Sequence, residues 1–359
     1  MKNTISLRQA ACILGILVFT NKVLVLPSLF YEDVGVDGIF ILIGLFLIDF
    51  LMIPLFFLLK KRFPTESFFN ILSQIITKYG AVIIYVLLCG FFLMKALSTY
   101  NISLMYLKNQ VYFEISEFVF IICFLTIANS LALKGLRSSG RTTEFFYYIM
   151  IGLIVFSTFA MCVNFAGVPV MFNTPISKLF TSSFSYIFNF GDTLFLFLIM
   201  DKIDVEKGKK RTMYLFVGLN MILTLILHAV FFSVFKYTGF MHLNAASDLI
   251  TFSNNFAGVG RIDIVSVIVI MLLNYFQLSF FNIAFDVSFS SVFPKGEKFF
   301  SVIVFDLLFL GLLYLLVTDY TKSLAISLNY MPYFAGVLQY LLPVFCYLFA
   351  KRKRRRENE

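Results

Sequence analysis

Long apolar runs separated by short polar segments dominate the pattern along this chain. Ten of these runs approach the ~20 residues that an α-helix needs to cross a bilayer. Numbered as spans 1 to 10, they cover Leu7–Leu26, Gly38–Leu59, Gly80–Tyr100, Ile115–Leu133, Phe145–Val163, Phe184–Met200, Met213–Phe235, Ile264–Val292, Phe299–Val317 and Met331–Ala350. The runs are too long for strands and few alternate with period two, so the pattern predicts membrane-spanning helices and no β-barrel.

Composition supports a membrane protein and excludes several other classes. Of the 359 residues, 60% are hydrophobic and 14% are charged, with 48 Phe and no Trp. A water-soluble chain of this size has too little interior to bury so much apolar surface. The five cysteines all lie in apolar runs without a CxxC pair, which is typical of small core residues. These features exclude a soluble enzyme, a disordered protein and a disulfide-rich secreted domain.

The basic residues indicate how the spans are oriented. With both termini placed in the cytoplasm, 22 of the 29 lysines and arginines fall in inner segments and only five in outer segments. This asymmetry is typical of cytoplasmic loops. The positive net charge therefore indicates topology, including a basic cytoplasmic tail at residues 351–359, and the sequence predicts no binding to nucleic acid. We expect a multi-pass protein of the cell membrane.

Ten spans predict an all-α polytopic membrane protein with a two-part organisation. We expect one transmembrane domain over residues 1–359, with a first repeat at about 1–165 and a second at about 180–350. Because five is odd, span 6 must run opposite to span 1, which is the arithmetic of an inverted repeat. Transporters of this kind carry broken helices beside a central site.

Polar residues interrupt spans 1 and 6, at corresponding places in the two halves. Span 1 carries a polar triplet and then Pro27, and span 6 carries a polar stretch with a glycine. Paired interruptions are the best sequence indication of a transporter binding site. The candidate ligand-binding residues at these interruptions are Thr20, Asn21, Lys22, Asn189, Gly191 and Asp192.

The charged residues within the spans have both functional and structural interpretations. Asp192 either binds a ligand amine or cation, or forms a structural ion pair or helix cap, with equal support for each. Lys22 either holds a ligand carboxylate or takes the place of a cation, or else snorkels to the outer interface, which we favour. Lys95 in the outer half of span 3 is a further candidate ligand residue. Lys22 and Asp192 would form a natural pair if they face each other.

Other polar residues within the spans remain weaker candidates. Asn274 and Gln277 in span 8 either line the binding site or bond neighbouring helices. Asp286 and Asp306 either form an inner gate or proton route, or pair with inner lysines, the favoured interpretation for Asp306. Asp49 lies mid-span without an assigned role. No residue pattern indicates a catalytic centre, a metal site or a cofactor.

Two segments between the spans also carry predictions. Residues 65–78 have apolar positions spaced for an amphipathic helix that lies on the membrane face or packs against helix ends. Residues 164–183 contain Pro169 and Pro175 and are expected to form an ordered surface loop.

Several short motifs occur in an order that resembles a known family. They are Ile5-Ser6-Leu7-Arg8-Gln9, Leu24-Val25-Leu26-Pro27-Ser28, Val34-Gly35-Val36-Asp37-Gly38, Lys61-Arg62-Phe63-Pro64, Phe190-Gly191-Asp192 and Arg261-Ile262-Asp263. Their order and spacing resemble the B subunit of spore germinant receptors. Those proteins are ten-span, LeuT-like relatives of the amino acid–polyamine–organocation transporter superfamily.

The resemblance implies a sensor of the spore inner membrane. It implies that the protein binds a small germinant, typically an amino acid, in a transporter-like pocket. It also implies partners, namely an A subunit and a C lipoprotein subunit. An alternative of a different class is an amino-acid permease that uses the same pocket for proton-coupled uptake or exchange.

Overall fold

Helices make up almost all of the computed structural model. It describes residues 4–110, 116–162, 167, 172–205, 208–242, 244–246, 248–249, 262–294, 297–316 and 320–350. The helices of the first half are α1 Leu7–Leu24, α2 Leu26–Val34, α3 Gly38–Arg62, α4 Phe68–Ile75, α5 Lys78–Gln110, α6 Glu117–Lys134 and α7 Leu136–Cys162. The helices of the second half are α8 Ile176–Tyr186, α9 Leu194–Leu198, α10 Lys210–Val234, α11 Ile262–Val292, α12 Lys298–Leu316, α13 Tyr320–Asn329, α14 Met331–Ala335 and α15 Leu342–Phe349.

Eight helical segments of the described residues are long and apolar enough to cross a membrane. They coincide with predicted spans 1 to 4 and 7 to 10, which confirms a helical, multi-pass type of fold. Predicted span 5 lies in α7, whose first part is charged, and predicted span 6 is divided into short helical pieces. The predicted tail at 351–359 and Arg261 lie outside the described residues.

Helix α1 occupies the centre of the bundle. It is buried almost from end to end and packs against α5, α7, α10 and α11. The outer helices instead expose apolar side chains, as Leu47, Leu51 and Leu58 do on α3. Apolar side chains on the outer face suit contact with lipid. Because α1 is enclosed by protein, polar residues on it can be held by neighbouring helices.

The interruption of span 1 differs from the one predicted. The polar triplet at residues 20–22 stays within α1, and Thr20 donates its hydroxyl hydrogen to the carbonyl of Ile16 at 2.6 Å. The helix breaks instead at Val25, two residues before Pro27. Proline has no N–H, and its ring clashes with the carbonyl four residues earlier, so the proline sets the kink.

The break in span 6 is confirmed, but its surroundings are more helical than expected. The predicted surface loop at 164–183 holds helix α8 from Ile176 onward. A short helical turn at Ile187–Asn189 follows, and then the backbone opens at Phe190 before α9 begins. Residues 164–166 and 168–171 of that predicted loop lie outside the described residues.

The face of the bundle where α1 begins is stabilised by local contacts. Ser6 caps α1 in a reciprocal capping box with Gln9. Strand β1 (Ile5–Ser6) pairs in parallel with β2 (Ile203–Asp204), with Ile5 opposite Ile203. The predicted amphipathic helix near residues 65–78 is α4. Its residues Phe68, Ile71 and Leu72 are buried, and the helix packs against α5 and α15. Of the two predicted placements, it packs against helix ends.

The close approach of α1 to α7 and α10 gives a test of packing. A Cβ atom on Gly15 would lie 2.7 Å from Nδ2 of Asn220, whose amide is already held by Tyr147 at 2.6 Å. We expect Gly15→Ala to lower stability by about 1–3 kcal/mol because the core is overpacked. The measurement is the melting temperature of the purified protein in detergent.

Gly218→Ala on α10 is the matched control. A Cβ atom there meets nothing within 4 Å, so we expect no loss and a gain of up to roughly 1 kcal/mol from helix propensity. Equal melting temperatures for the two variants would contradict the proposed packing.

Candidate functional site

The helical backbone is interrupted at Phe190 and Gly191, and the position of Gly191 can be occupied only by a residue without a side chain. Gly191 has φ of +73°, a conformation that side chains disfavour. A Cβ atom there would also overlap the side chain of Gln339. The opening leaves the carbonyl of Phe190 and the N–H of Gly191 outside the helical hydrogen-bond pattern. Both groups are taken by side chains from other helices.

Asp192, just after this break, lies between two lysines. Its Oδ2 accepts a hydrogen bond from Nζ of Lys22 at 2.6 Å, and its Oδ1 accepts one from Nζ of Lys95 at 2.9 Å. All three side chains are buried. The structure therefore joins spans 1, 3 and 6 through one carboxylate, and the hypothetical pairing of Lys22 with Asp192 is present. We refer to these three residues as the charge triad.

The favoured interpretation of Lys22 as a snorkelling residue is wrong. Only 1% of its surface is exposed. Its ammonium group donates to the carbonyl of Leu17 at 3.2 Å and lies 5.2 Å from the centre of the Phe190 ring. The side chain turns back along α1 into the bundle, where Asp192 supplies its charge partner.

Lys95 links the triad to the broken backbone. Its ammonium group donates to the carbonyl of Phe190 at 2.8 Å as well as to Asp192. The rings of Phe91 and Phe281 lie 5.7 Å from the same nitrogen. Lys95 thus satisfies a carbonyl that the break would otherwise leave without a partner in an apolar setting.

Asp49 and Tyr340 also hold the break, and sequence reasoning gave neither of them a role. Asp49 accepts the N–H of Gly191 at 2.9 Å and the hydroxyl hydrogen of Tyr340 at 2.6 Å. Asp49 is fully buried in α3, and Tyr340 lies in a wide π-helical stretch between α14 and α15. A carboxylate in the middle of an apolar span was the available signal. Nothing in the pattern around Tyr340 distinguishes it from the other tyrosines.

A small polar cavity adjoins the triad. It is lined by Lys95 and Asp192, by Phe188 and Phe281, and by Asn21, Ser98, Asn189 and Gln277. Its volume of about 10 Å³ is the space of one water molecule. Oδ1 of Asn21 and Oε1 of Gln277 are buried and have no hydrogen-bond partner among the described residues. The cavity therefore presents unused acceptors beside the ammonium group of Lys95 and the carboxylate of Asp192.

A second cavity continues from the first toward α13. The two share Asn21, Ser98 and Asn189, and the second adds Ser323 and Ser327. Asn21 also donates to the hydroxyl of Thr99 at 2.9 Å, which fixes its amide. A polar path thus leads from the triad to the helix that precedes span 10.

Four predicted site residues line neither cavity, namely Thr20, Lys22, Gly191 and Asn274. The hydroxyl group of Thr20 donates its hydrogen bond to the backbone carbonyl of Ile16 in α1. Asn274 is buried in α11, and both atoms of its amide lack a partner among the described residues. Gly191 contributes through its backbone conformation and its contact with Asp49.

The carboxylates of spans 8 and 9 bind neutral side chains. Asp306 accepts from Nδ2 of Asn129 at 2.7 Å, and Asn282 donates to the carbonyl oxygen of the same amide at 2.7 Å. Asp286 accepts the hydroxyl hydrogen of Ser301 at 2.5 Å. No ion pair between Asp306 and an inner lysine is present in the described part of the chain, so that favoured expectation is wrong there.

The fold and this site define a polytopic helical membrane protein with a broken helix beside buried charges. The model of one family, described as spore germination protein, spore permease type, matches residues 4–321. The chain therefore belongs to the spore germination protein family, as the motifs indicated. A search of curated proteins found no match. Family membership fits a germination-related, transporter-like membrane protein rather than an enzyme.

Removal of the triad carboxylate gives a test of its electrostatics. In Asp192→Asn, two buried ammonium groups lose their counter-charge, which costs about 3–5 kcal/mol for a buried pair. We expect a clearly lower melting temperature. Adding Lys22→Met should recover part of that loss because one uncompensated charge is removed with it.

Asp286→Asn serves as the control, since that carboxylate binds a hydroxyl group and no lysine among the described residues. We expect a much smaller change. If Lys22→Met and Asp192→Asn lower the melting temperature independently of each other, the electrostatic coupling is wrong.

Proposed function

We propose that this protein is the germinant-binding subunit of a spore germination receptor. It binds a small germinant, an amino acid, at the cavities beside the charge triad, between spans 1, 3, 6 and 8. Binding shifts the helical bundle between two states, and partner subunits, an A subunit and a C lipoprotein, respond to the shift. The single observation that carries this proposal is the triad itself, two ammonium groups on one carboxylate beside a polar cavity.

The triad suits an amino acid because it carries one positive charge in excess. A ligand carboxylate can take the position of Asp192 on Lys95 without leaving an ammonium group unpaired. The unused oxygens of Asn21 and Gln277 are acceptors, and a ligand ammonium group has three N–H donors to offer them. Charge-assisted hydrogen bonds of this kind are the strong ones.

The small size of the cavities requires a conformational change for binding. The described arrangement has room for a water molecule beside the triad, whereas an amino acid needs several times that volume. The ligand must therefore favour a second, more open arrangement, and its differential affinity for the two supplies the free energy of the shift. The breaks at Val25 and Gly191 are the natural hinges.

Packing between helices supports the ten-span inverted repeat, which we include in the proposal. If span n corresponds to span n + 5, a contact between two spans recurs between their counterparts. Spans 1 and 7 meet through α1 and α10, and spans 6 and 2 meet through α8 and α3. Likewise α6 packs on α11 as α12 does on α5, and α7 packs on α10 as α15 does on α3.

The basic residues support a proposed orientation of the chain. We propose that both termini are cytoplasmic and that the chain resides in the spore inner membrane. The ends of α3 and α6 and the start of α10 carry lysines and arginines, as inner segments do. The second cavity then lies toward the outer side, from which a germinant arrives.

The family name supports a second function, transport. A permease alternates access to a buried site between two faces, and the buried triad with broken helices serves that function as well. The two candidates differ in whether the ligand crosses the membrane.

Lys95→Met tests the proposed binding site in spores. It removes the ammonium group that faces the cavity, and truncating one member of a buried charged contact costs about 2–5 kcal/mol, or at least roughly 30-fold in affinity. We expect germination, scored by loss of optical density, to need at least that much more amino acid. Spores with Asp286→Asn should respond as wild type, and an immunoblot of the spore membrane should show equal protein.

Three further results test the site and separate the two candidate functions. Normal germination with Lys95→Met, when deletion of the gene abolishes it, would contradict the proposed site. Accumulation of labelled amino acid in vesicles that hold this chain alone would favour the permease. Normal germination of the deletion strain with a full amino-acid panel would contradict the sensor.

A further inference from the structure

A cleft opens on the basic face of the bundle, and none of its lining residues belongs to the charge triad. It has a volume of about 450 Å³ and lies where the end of α3 meets β2 and the start of α10. Lysines 60, 61 and 210 line it together with Thr65, and Phe57 and Ile203 form apolar walls. Asp204 is the one carboxylate among the lining residues, so the described lining is positively charged.

We propose that this cleft binds a phosphate group, supplied by the headgroup of an anionic phospholipid. Basic pockets between membrane-spanning helices on the cytoplasmic side are the sites that such headgroups occupy. The proposal concerns a site distinct from the germinant pocket and does not depend on the ligand of that pocket.

The lysines of the cleft fall into two kinds. Lys60 is buried and fixed, because its ammonium group donates to the carbonyls of Pro64 at 2.6 Å and Met200 at 2.5 Å. Lys61 and Lys210 are exposed, and neither has a carboxylate partner among the described residues. The ammonium group of Lys210 lies 5.4 Å from the centre of the Phe57 ring, which holds the charge over the cleft.

The start of α10 adds to the positive potential. Its N-cap is Lys209, no side chain caps it, and its first turn carries no acidic residue. Backbone N–H groups at a helix start favour an anion. The positive charges of lysines at this helix start interact unfavourably with the partial positive charge of the helix N-terminus. A bound phosphate would offset that unfavourable interaction. The positive-inside rule accounts for the sign of these residues but not for their convergence on one cleft.

The walls of the cleft suit a lipid better than a freely diffusing anion. Phe57 lies 6.0 Å from Tyr214 between ring centres. Leu58 and Leu215, the next residues on α3 and α10, are exposed apolar side chains on two candidate membrane spans. A headgroup at the lysines would thus leave its acyl chains against an apolar surface.

The test uses the full-length protein in phosphatidylcholine vesicles with and without phosphatidylglycerol. We expect phosphatidylglycerol to raise the melting temperature of the wild type. Lys61→Gln with Lys210→Gln should lose that rise and bind the lipid roughly 30-fold more weakly, since each lysine near an anionic surface contributes about 1 kcal/mol. Inorganic phosphate added to phosphatidylcholine vesicles reports on a soluble source.

The matched control is Lys78→Gln with Lys134→Gln, which removes two basic residues of the same face outside the cleft. This variant should keep the rise in melting temperature. Native mass spectrometry gives a second readout, the phosphatidylglycerol retained by each variant, which does not depend on the melting temperature in neutral lipid.

Three outcomes decide the proposal. Loss of the rise in the cleft variant alone supports it. An equal rise in both variants, or an equal loss in both, overturns it, because the effect would then come from the diffuse charge of the face. A rise with inorganic phosphate alone that equals the one with phosphatidylglycerol overturns the lipid source and retains the phosphate site.

Discussion

The burial of Asp192 between Lys22 and Lys95 constrains the rest of this structure. An ionised carboxylate without a partner is costly inside a membrane protein, and so is a lone ammonium group. Three helices must therefore meet at one point, and α1 must run through the centre of the bundle to bring Lys22 there. The opening at Gly191 follows from the same constraint, since its freed carbonyl and N–H groups are satisfied by Lys95 and Asp49. The buried charged side chains thus stabilise the broken backbone, and the break positions Asp192 between the two lysines.

Sequence reasoning reached the helical membrane fold and the family, and it raised the pairing of Lys22 with Asp192 only as a hypothesis beside the favoured snorkelling. Span length and the distribution of lysines follow from the bilayer itself, so they are visible without coordinates. The direction in which Lys22 turns is not, because snorkelling and ion pairing suit the same sequence and differ only in what lies opposite. The predicted interruption of span 1 included residues 20–22, because polar side chains within an apolar span suggest a broken backbone. The helix in fact continues through them and breaks at Val25, where Pro27 interrupts the hydrogen-bond pattern.

The role of Tyr340 shows a different limit. Its hydroxyl group reaches Asp49 from a π-helical stretch of span 10, and no local sequence pattern indicates that irregularity. Asp49 carried the same signal as Asp192, a carboxylate within an apolar span, and the signal would have found it. What that signal lacks is the identity of the partner, here a backbone N–H and a tyrosine in place of a lysine. Buried carboxylates can thus be located from sequence, while their chemistry depends on distant contacts.

The short pairing of β1 with β2 has a mechanical consequence. Ile5 lies opposite Ile203, so the segment just before α1 is fastened to the segment that follows α9. The chain between them, from the first helix to the end of span 6, is closed into a ring whose two ends cannot separate while the pairing lasts. The two broken helices are therefore linked at this face of the bundle. A movement that separates the start of span 1 from the end of span 6 has to break this pairing first.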